Sequence, residues 1–394
     1  MTDTADIVIA GGAVIGSSIA WHLATHPGFK GRIVVVEPDP TYQFSASALS
    51  AGSIRQQFSQ PVNIAISLYG IGFLREIGER LAVDGEKPEI GLHEGGYLYL
   101  GTEAARGVFE ANNGDQTRLG ARIALLDPEA LAARFPYLST EDVAIGSLGL
   151  SGEGWFDGYG LMQAFRKAAR AAGVTYRQAR VTGLQREGDR ITGATLETGE
   201  TLACGVFVNA AGASGARLLC EKAGFPVPVY AKKRTVFSFA AKGSFPDHPL
   251  IIDTTGVWWR PEGTGFITGY SPDEPEPVDF AQDFEVDWPL FDEVIWPALA
   301  TRIPAFEAIR PGRAWAGHYD MNLLDHNAVV GRLGDLANAY LACGFSGHGL
   351  QQSPAVGRGL AELIVEGGYR SLDLGDLGFA RLAENRPLLE RNVI

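Results

Sequence analysis

Gly11-Gly12-Ala13-Val14-Ile15-Gly16 follows a short apolar run, Asp6–Ala10, and opens a stretch where Val14, Ile15, Ile19 and Leu23 recur at helical spacing. Glycines at such a junction are what a phosphate group asks of a backbone. Gly11 permits the tight turn, and Gly16 lets the helix pack on the strand. The helix N-terminus then offers free N–H groups and partial positive charge to a pyrophosphate. Glu37 closes a second apolar run, Arg32–Glu37, where a carboxylate accepts hydrogen bonds from an adenosine ribose. One position departs from G-x-G-x-x-G. Ala13 stands at the middle glycine, and its methyl crowds the pyrophosphate slightly. An acidic residue at 37 disfavours a 2′-phosphate, hence NADP. The fingerprint alone leaves FAD and a nicotinamide nucleotide open.

Three later segments carry further chemistry. The loop Ser45–Arg55 (SASALSAGSIR) offers hydroxyls, close backbone and one fixed cation, suited to a pyrophosphate and a flat ring. Asn209–Ala213 (NAAGA) reads as a strand end turning through Gly212 into a helix. Gly344–Leu350 (GFSGHGL) lies between an apolar strand and a helix, and its glycines free the backbone to wrap a ligand edge. The helix that follows aims its N-terminus there, an arrangement suited to negative charge developing on the N1–C2=O edge of a reduced flavin. His348, between Gly347 and Gly349, and His318 have the ordinary titration nearest neutrality.

The elements that must position these residues follow from periodicity. Residues 6–37 form a βαβ unit of about 30 residues. Pro61–Leu81 reads as one amphipathic helix. Asp127 and Asp157 are N-cap signals, the second for a helix running to Ala172. Val174–Gln178, Val181–Arg186 and Val206–Ala210 read as strands. Residues 226–314 are rich in proline, tryptophan and phenylalanine with strand-like alternation. Ala339–Ala342 returns as a strand and Leu350–Glu366 as a helix.

Composition narrows the class. The chain has 394 residues, 50 of them glycine, against about 28 at ordinary usage. Its net charge of −13 argues against nucleic acid or an anionic membrane surface as main partner. Three cysteines, Cys204, Cys220 and Cys343, are too scattered for a disulfide framework or a structural zinc site, and no HExxH occurs. The first residues lack a basic n-region, and no apolar run reaches the ~18 residues of a transmembrane segment. A soluble, cytoplasmic protein with reduced thiols is the expectation.

The segments AGSIRQQF, VNAAG, WAGHYDM and GFSGHG together resemble the FAD-dependent D-amino-acid oxidase (DAO) superfamily, in its sarcosine oxidase and dimethylglycine dehydrogenase-like branch. The resemblance covers nearly the whole chain. It implies an α/β fold with a Rossmann-type FAD-binding domain built from separated segments (1–88, 145–225 and 315–394). An α+β substrate-binding domain with a large mixed sheet takes 89–144 and 226–314. It also implies oxidation of a C–N bond in a secondary or tertiary amine, often an N-substituted amino acid, by hydride transfer to flavin N5. The imine then hydrolyses. The FAD contacts expected on the first strand, turn and helix are Gly11, Ala13, Val14, Ile15 and Gly16, then Glu37 and Pro38. From the loop come Ser45, Ser47, Leu49, Ser50, Ala51 and Arg55. Val181 contributes a backbone contact to adenine, Ala211 and Gly212 the strand end, and Gly344, Gly347, His348, Gly349, Leu350 and Gln351 the flavin edge.

Departures from the family pattern carry information. The cysteine that holds flavin covalently in sarcosine oxidases aligns with Gly317, and the histidine used in dimethylglycine dehydrogenase-like members aligns with Ser50, so non-covalent FAD is expected. The oxygen-activating lysine falls near Ile267, which favours a dehydrogenase over an oxidase. The substrate-carboxylate cations align near Phe58 and Gln351, neither charged. His348, Arg55 and Tyr319 are the candidate catalytic residues. Trp258 and Trp259 point to opposite faces of a strand, so one can wall a pocket while the other packs. Arg260, Arg234 and Arg313 are candidate carboxylate clamps, and His318 and Tyr319 lie in a segment placed near the flavin. Asp253, Asp320 and Asp325 read as caps or turns. The partners expected are a small amine substrate and an electron-acceptor protein or O2. Two other readings stay open: a non-catalytic flavin-binding scaffold, and an NAD-dependent dehydrogenase.

Overall fold

The computed structural model describes residues 3–272 and 276–391. β1 (Asp3–Ala10), α1 (Val14–Thr25) and β2 (Ile33–Glu37) form the βαβ unit at the N-terminus. The strands are apolar on both faces because both are covered: Ile9, Val34 and Val35 are essentially inaccessible. β1 pairs in parallel with β2 on one side (Ile9 opposite Val35) and with Thr201–Asn209 on the other (Ile9 opposite Val208). That divergence of neighbours makes the carboxyl end of β1 the switch point where open α/β sheets bind ligands. Thr175–Gln178 extends the sheet beyond β2. Ala339–Cys343 and Val329–Arg332 extend it beyond Thr201–Asn209, and the meander Val181–Glu187/Arg190–Leu196 folds onto the edge of Thr201–Asn209.

Among the described residues a second large sheet runs in the order Arg310–Asn322, Val229–Ala240, Gly265–Gly269, Trp258–Glu262, Leu250–Ile252, Tyr97–Gly101, Ile145–Ser151, Arg122–Leu126. Two of these strands lie elsewhere than the sequence suggested. Ile145–Ser151 was expected with the nucleotide-binding segments. It hydrogen-bonds between Tyr97–Gly101 and Arg122–Leu126 instead, because Leu148 packs with Leu98, Leu131 and Phe135. The boundary expected at 315 falls inside one 13-residue strand, paired along its length with Val229–Ala240.

Two helical expectations also shift. Pro61–Leu81 is interrupted: one helix ends at Arg75, Glu76 turns away at φ −103° and ψ 11°, and a short helix Ile77–Arg80 follows. Residues 288–308, read as strand-like, are a chain of helical turns that lays Phe291, Ile295, Leu299 and Phe306 over the second sheet, against Phe237. The helix Gly349–Glu366 carries Pro354 in its interior. Proline cannot donate to the Leu350 carbonyl four residues back, and the Ser353 hydroxyl donates to it instead at 2.9 Å. Ser18 of α1 donates to the Ser353 carbonyl at 2.7 Å, and a Cβ on Gly357 would lie 2.2 Å from Ser18 Oγ. The two helices therefore touch backbone to backbone.

Candidate functional site

A cleft of about 1390 Å³, the solvent at its mouth included, lies at the carboxyl ends of β1 and Thr201–Asn209. Its middle is the first glycine turn. Gly11 sits at φ +96°, and a Cβ there would meet the Ala210 carbonyl at 2.2 Å. A Cβ on Gly16 would lie 1.9 Å from the Gly11 carbonyl, so Gly16 closes the turn from behind and does not face the cleft. Ala13 brings no capping group to α1. The N–H groups of its first turn are left for a ligand, apart from Val14 N–H, which reaches Ser47 Oγ at 3.3 Å. Ser45 caps the short helix Ala46–Leu49 through Ala48 N–H, and Ser45, Ser47, Ser50, Ala211 and Gly212 line the same stretch.

At one end, Glu37 accepts from Gly12 N–H at 2.8 Å and from Asp39 N–H at 3.0 Å. Burial pushes its carboxyl up, and these two donors pull against that shift. Asp39 Oδ1 accepts from both the N–H and the hydroxyl of Thr41, whereas Asp39 Oδ2 is buried with no partner. Pro38, Asp39, Arg180 and Val181 line this end.

At the other end, Gly347 sits at φ +92° with its Cα hydrogen where a Cβ would meet the Tyr319 ring at 2.7 Å. Gly349 and Leu350 begin the 18-residue helix whose N-cap, His348, contributes no capping side chain. Here the cleft adjoins a second pocket of about 680 Å³, with Ser50, Tyr319 and Gly347 common to both. Ala51, Arg55, Trp258, His348 and Gln351 line that pocket, with Ser53, Tyr97, Leu250, Ile252, Ser271 and Ser346. Arg55 is its only cation among the described residues. The guanidinium lies over Phe58, 4.8 Å from the ring centroid, and donates to His348 Nε2 at 2.9 Å, while Gln351 Oε1 accepts from Arg55 N–H at 2.8 Å. A guanidinium only donates. His348 Nε2 is therefore the unprotonated nitrogen and the ring proton sits on Nδ1. Burial, then the Arg55 charge, hold His348 well below its ordinary value.

Two expectations about titration are corrected on that ground: His348 is neutral, and burial also lowers His318, which is packed edge-on against Phe284 at 4.4 Å. Trp258 faces the second pocket. Trp259 lies on the opposite face, fully buried, and donates to His248 at 3.1 Å. Arg260 is turned to Ala51 O and Glu262, Arg234 lies over the Tyr319 ring, and Arg313 is exposed; none lines the pocket. Leu49 supports the cleft from outside by accepting Trp315 Nε1–H at 2.8 Å. Gly344, at φ +68°, packs against Val229 and Asn322. Asp253 and Asp325 are ion-paired with Arg302 and Arg381. Sequence reasoning missed Asp39, Tyr97, Leu250 and Ile252. For Tyr97 a signal existed, because YLYL puts Tyr97 and Tyr99 on one strand face.

Such a cleft, on a Rossmann-type sheet and opening into a pocket at its far end, defines an oxidoreductase that holds a dinucleotide. The parts fit FAD: glycine cradles that a Cβ would fill, a helix N-terminus with no side-chain cap, and an orphaned acceptor at the adenosine end. Residues 6–363 match the model of the FAD dependent oxidoreductase family, DAO, and the chain belongs to that family, with FAD as its cofactor. It is 41% identical over 428 residues to FAD-dependent oxidoreductase domain-containing protein 1 of Xenopus laevis, covering 100% of this chain and 85% of that protein. It is 26% identical to 4-methylaminobutanoate oxidase (formaldehyde-forming) of Paenarthrobacter nicotinovorans, covering 97% of this chain and 46% of that one. The crystal structure of L-proline dehydrogenase from P. horikoshii superposes with a TM-score of 0.86 at 25% identity, covering 98% and 100% of the two chains. No helix among the described residues is long and apolar enough to cross a membrane, and none of their side chains cluster as a metal site.

Proposed function

We propose that this protein oxidises the C–N bond of a secondary or tertiary amine that carries a carboxylate, as a dehydrogenase with non-covalent FAD. The observation that carries this reading is the second pocket. One cation, Arg55, lines it together with the apolar and aromatic side chains of Trp258, Tyr97, Leu250 and Ile252 and the hydroxyls of Ser50, Ser53, Ser271 and Ser346. A carboxylate on the guanidinium leaves the amine end against those walls, next to the cleft. The names of two similar proteins point the same way, since proline and 4-methylaminobutanoate are both secondary amines bearing a carboxylate.

FAD, when bound, supplies the acceptor for a hydride. The chain's own residues do the rest. Glu37 and Asp39 would hold the adenosine half, and the N-terminus of α1 would hold the pyrophosphate. The helix Gly349–Glu366 presents its positive end to the far edge. Arg55 binds substrate carboxylate, and its charge favours the neutral, reactive form of a nearby amine. His348 Nε2 is engaged by Arg55, so His348 orients the guanidinium and is not the base. Tyr319 walls the junction of cleft and pocket.

The test is anaerobic mixing of the FAD-loaded protein with secondary amines, each paired with its carboxylate-free analogue. Bleaching of the visible flavin bands by the carboxylated member, weakened at least tenfold in Arg55→Gln, is expected. No bleaching by any amine would leave a flavin-holding scaffold as the better account. Acid precipitation should release all the flavin.

A further inference from the structure

One buried acid in the cleft has no part in the reading above. Asp320 lies on the strand Arg310–Asn322, only 8% exposed, and lines the cleft beside Tyr319, Phe345 and Gly347. Its Oδ2 accepts from Gly344 N–H at 2.8 Å, and its backbone carbonyl accepts from Ser346 N–H at 3.1 Å. These two bonds bracket a loop in which Gly344, Ser346 and Gly347 all have positive φ, the loop that delivers the helix Gly349–Glu366 to the cleft.

The surroundings offer the carboxyl no counter-charge. Ala231 stands opposite it on Val229–Ala240. Further along the same strand pair are His318 and Lys233, the latter ion-paired with Asp283. From Ala339–Cys343 comes the Cys343 thiol, held up by its hydrogen bond with Cys220 of the helix Gly212–Ala223 and by burial, hence neutral. Arg381 nearby is committed to Asp325. Among the described residues no cation reaches hydrogen-bond distance of Asp320. A carboxylate so placed meets any electrons entering the cleft as like charge in a low dielectric.

We propose that Asp320 is a proton-holding group coupled to the redox state of the cofactor: it binds one proton from solvent as two electrons enter and returns it to solvent when they leave. The electrons arrive with the substrate's hydride and depart to the acceptor, and the proton on Asp320 offsets the negative charge they add. The proposal rests on FAD occupying the cleft and holds whichever amine reduces it. Burial raises the Asp320 carboxyl to about 6, against the pull of the backbone donors at Phe345, Asp320 and Gly344, and the proposal takes the oxidised protein as ionised above that pH and protonated below it.

By linkage, proton uptake on reduction lowers the midpoint potential as pH rises, and only where the oxidised form is ionised. The experiment compares the flavin midpoint potential of the loaded wild type and Asp320→Asn from about pH 5 to about pH 8. Asparagine loses the titration and keeps one oxygen for the backbone donors at Gly344 and Phe345. Expected is a gap between the two that is constant below about pH 6. Above that pH the gap widens by one proton's worth per two electrons, the wild type lying lower. Flavin titration that Asp320 does not influence cancels in the difference, and what remains is the joint titration of Asp320 and the cofactor. A gap that stays constant over the whole range overturns the proposal. Where Asp320→Asn does not hold FAD, the reduced-minus-oxidised infrared difference spectrum of the wild type near pH 7.5 decides. A protonated-carboxyl C=O band that appears on reduction and shifts in D2O is expected, and its absence refutes the coupling.

Discussion

Asp39→Asn isolates one atom. Oδ1 and its two bonds to Thr41 survive in asparagine, so the turn after Glu37 stays intact, while the orphaned Oδ2 becomes an N–H2 group. If that oxygen waits for a donor on the adenosine half of FAD, the bond lost is one to a charged acceptor, worth about 1.5–3 kcal/mol. FAD should then bind roughly 10- to 150-fold more weakly. FMN, which lacks adenosine, should bind the variant and the wild type equally, and competition by ADP should weaken by the same factor as FAD. Fluorescence titration of apoprotein measures all three, with the apoprotein melting temperature as a check on the fold. An FAD affinity within twofold of wild type, or FMN falling in parallel with FAD, would refute the reasoning.

Gly16→Ala puts a methyl 1.9 Å from the Gly11 carbonyl; the turn must open, and FAD should be lost on gel filtration, so a variant that keeps a full complement contradicts the packing described. Asp253→Asn removes the charge facing Arg302 Nε at 2.5 Å, where both side chains are 2% exposed; because Asp142 still holds Arg302, urea denaturation should show a loss near the low end for a broken buried pair, about 3 kcal/mol, and a loss under about 1 kcal/mol would mean the pair is dispensable. His22 is buried, and burial depresses it from 6.5 to about 4; its contribution is present above about pH 6.5 and is lost as pH falls through that window, by as much as roughly 3 kcal/mol. His22→Gln should flatten the acid limb of stability in urea melts, and an unchanged limb would assign it to other groups.

Local signals were legible where they sufficed. The strand–turn–helix–strand of residues 3–37 is written in apolar periodicity and glycine, and Asp127 and Asp157 cap the helices they announce, accepting Ala130 and Gly160 N–H at 2.8 and 2.9 Å. Residues 288–308 were misread because tryptophan and phenylalanine favour strands in isolation. Pro289, Pro297 and Pro304, each at a first helical turn, were the overlooked sign. What sequence could not supply depends on tertiary partners. Arg55 finds His348 293 positions away. Arg260 is a plausible clamp until Ala51 O and Glu262 occupy it. Asp39 Oδ2 is conspicuous only because Thr41 takes the other oxygen. The strand Ile145–Ser151 joins its sheet through Leu148, which no spacing along the chain records.

The seam between α1 and the helix Gly349–Glu366 has a consequence for how the protein is assembled. Ser18 and Gly357 fasten the two helices before their N-termini reach the cleft, so the spacing between the pyrophosphate end and the ring end is a property of the polypeptide. Chain made in flavin-starved cells should therefore accumulate folded and take up cofactor later. Bulk added at position 357 would loosen the grip on a ligand it never touches, by prising apart the two helices that measure its length.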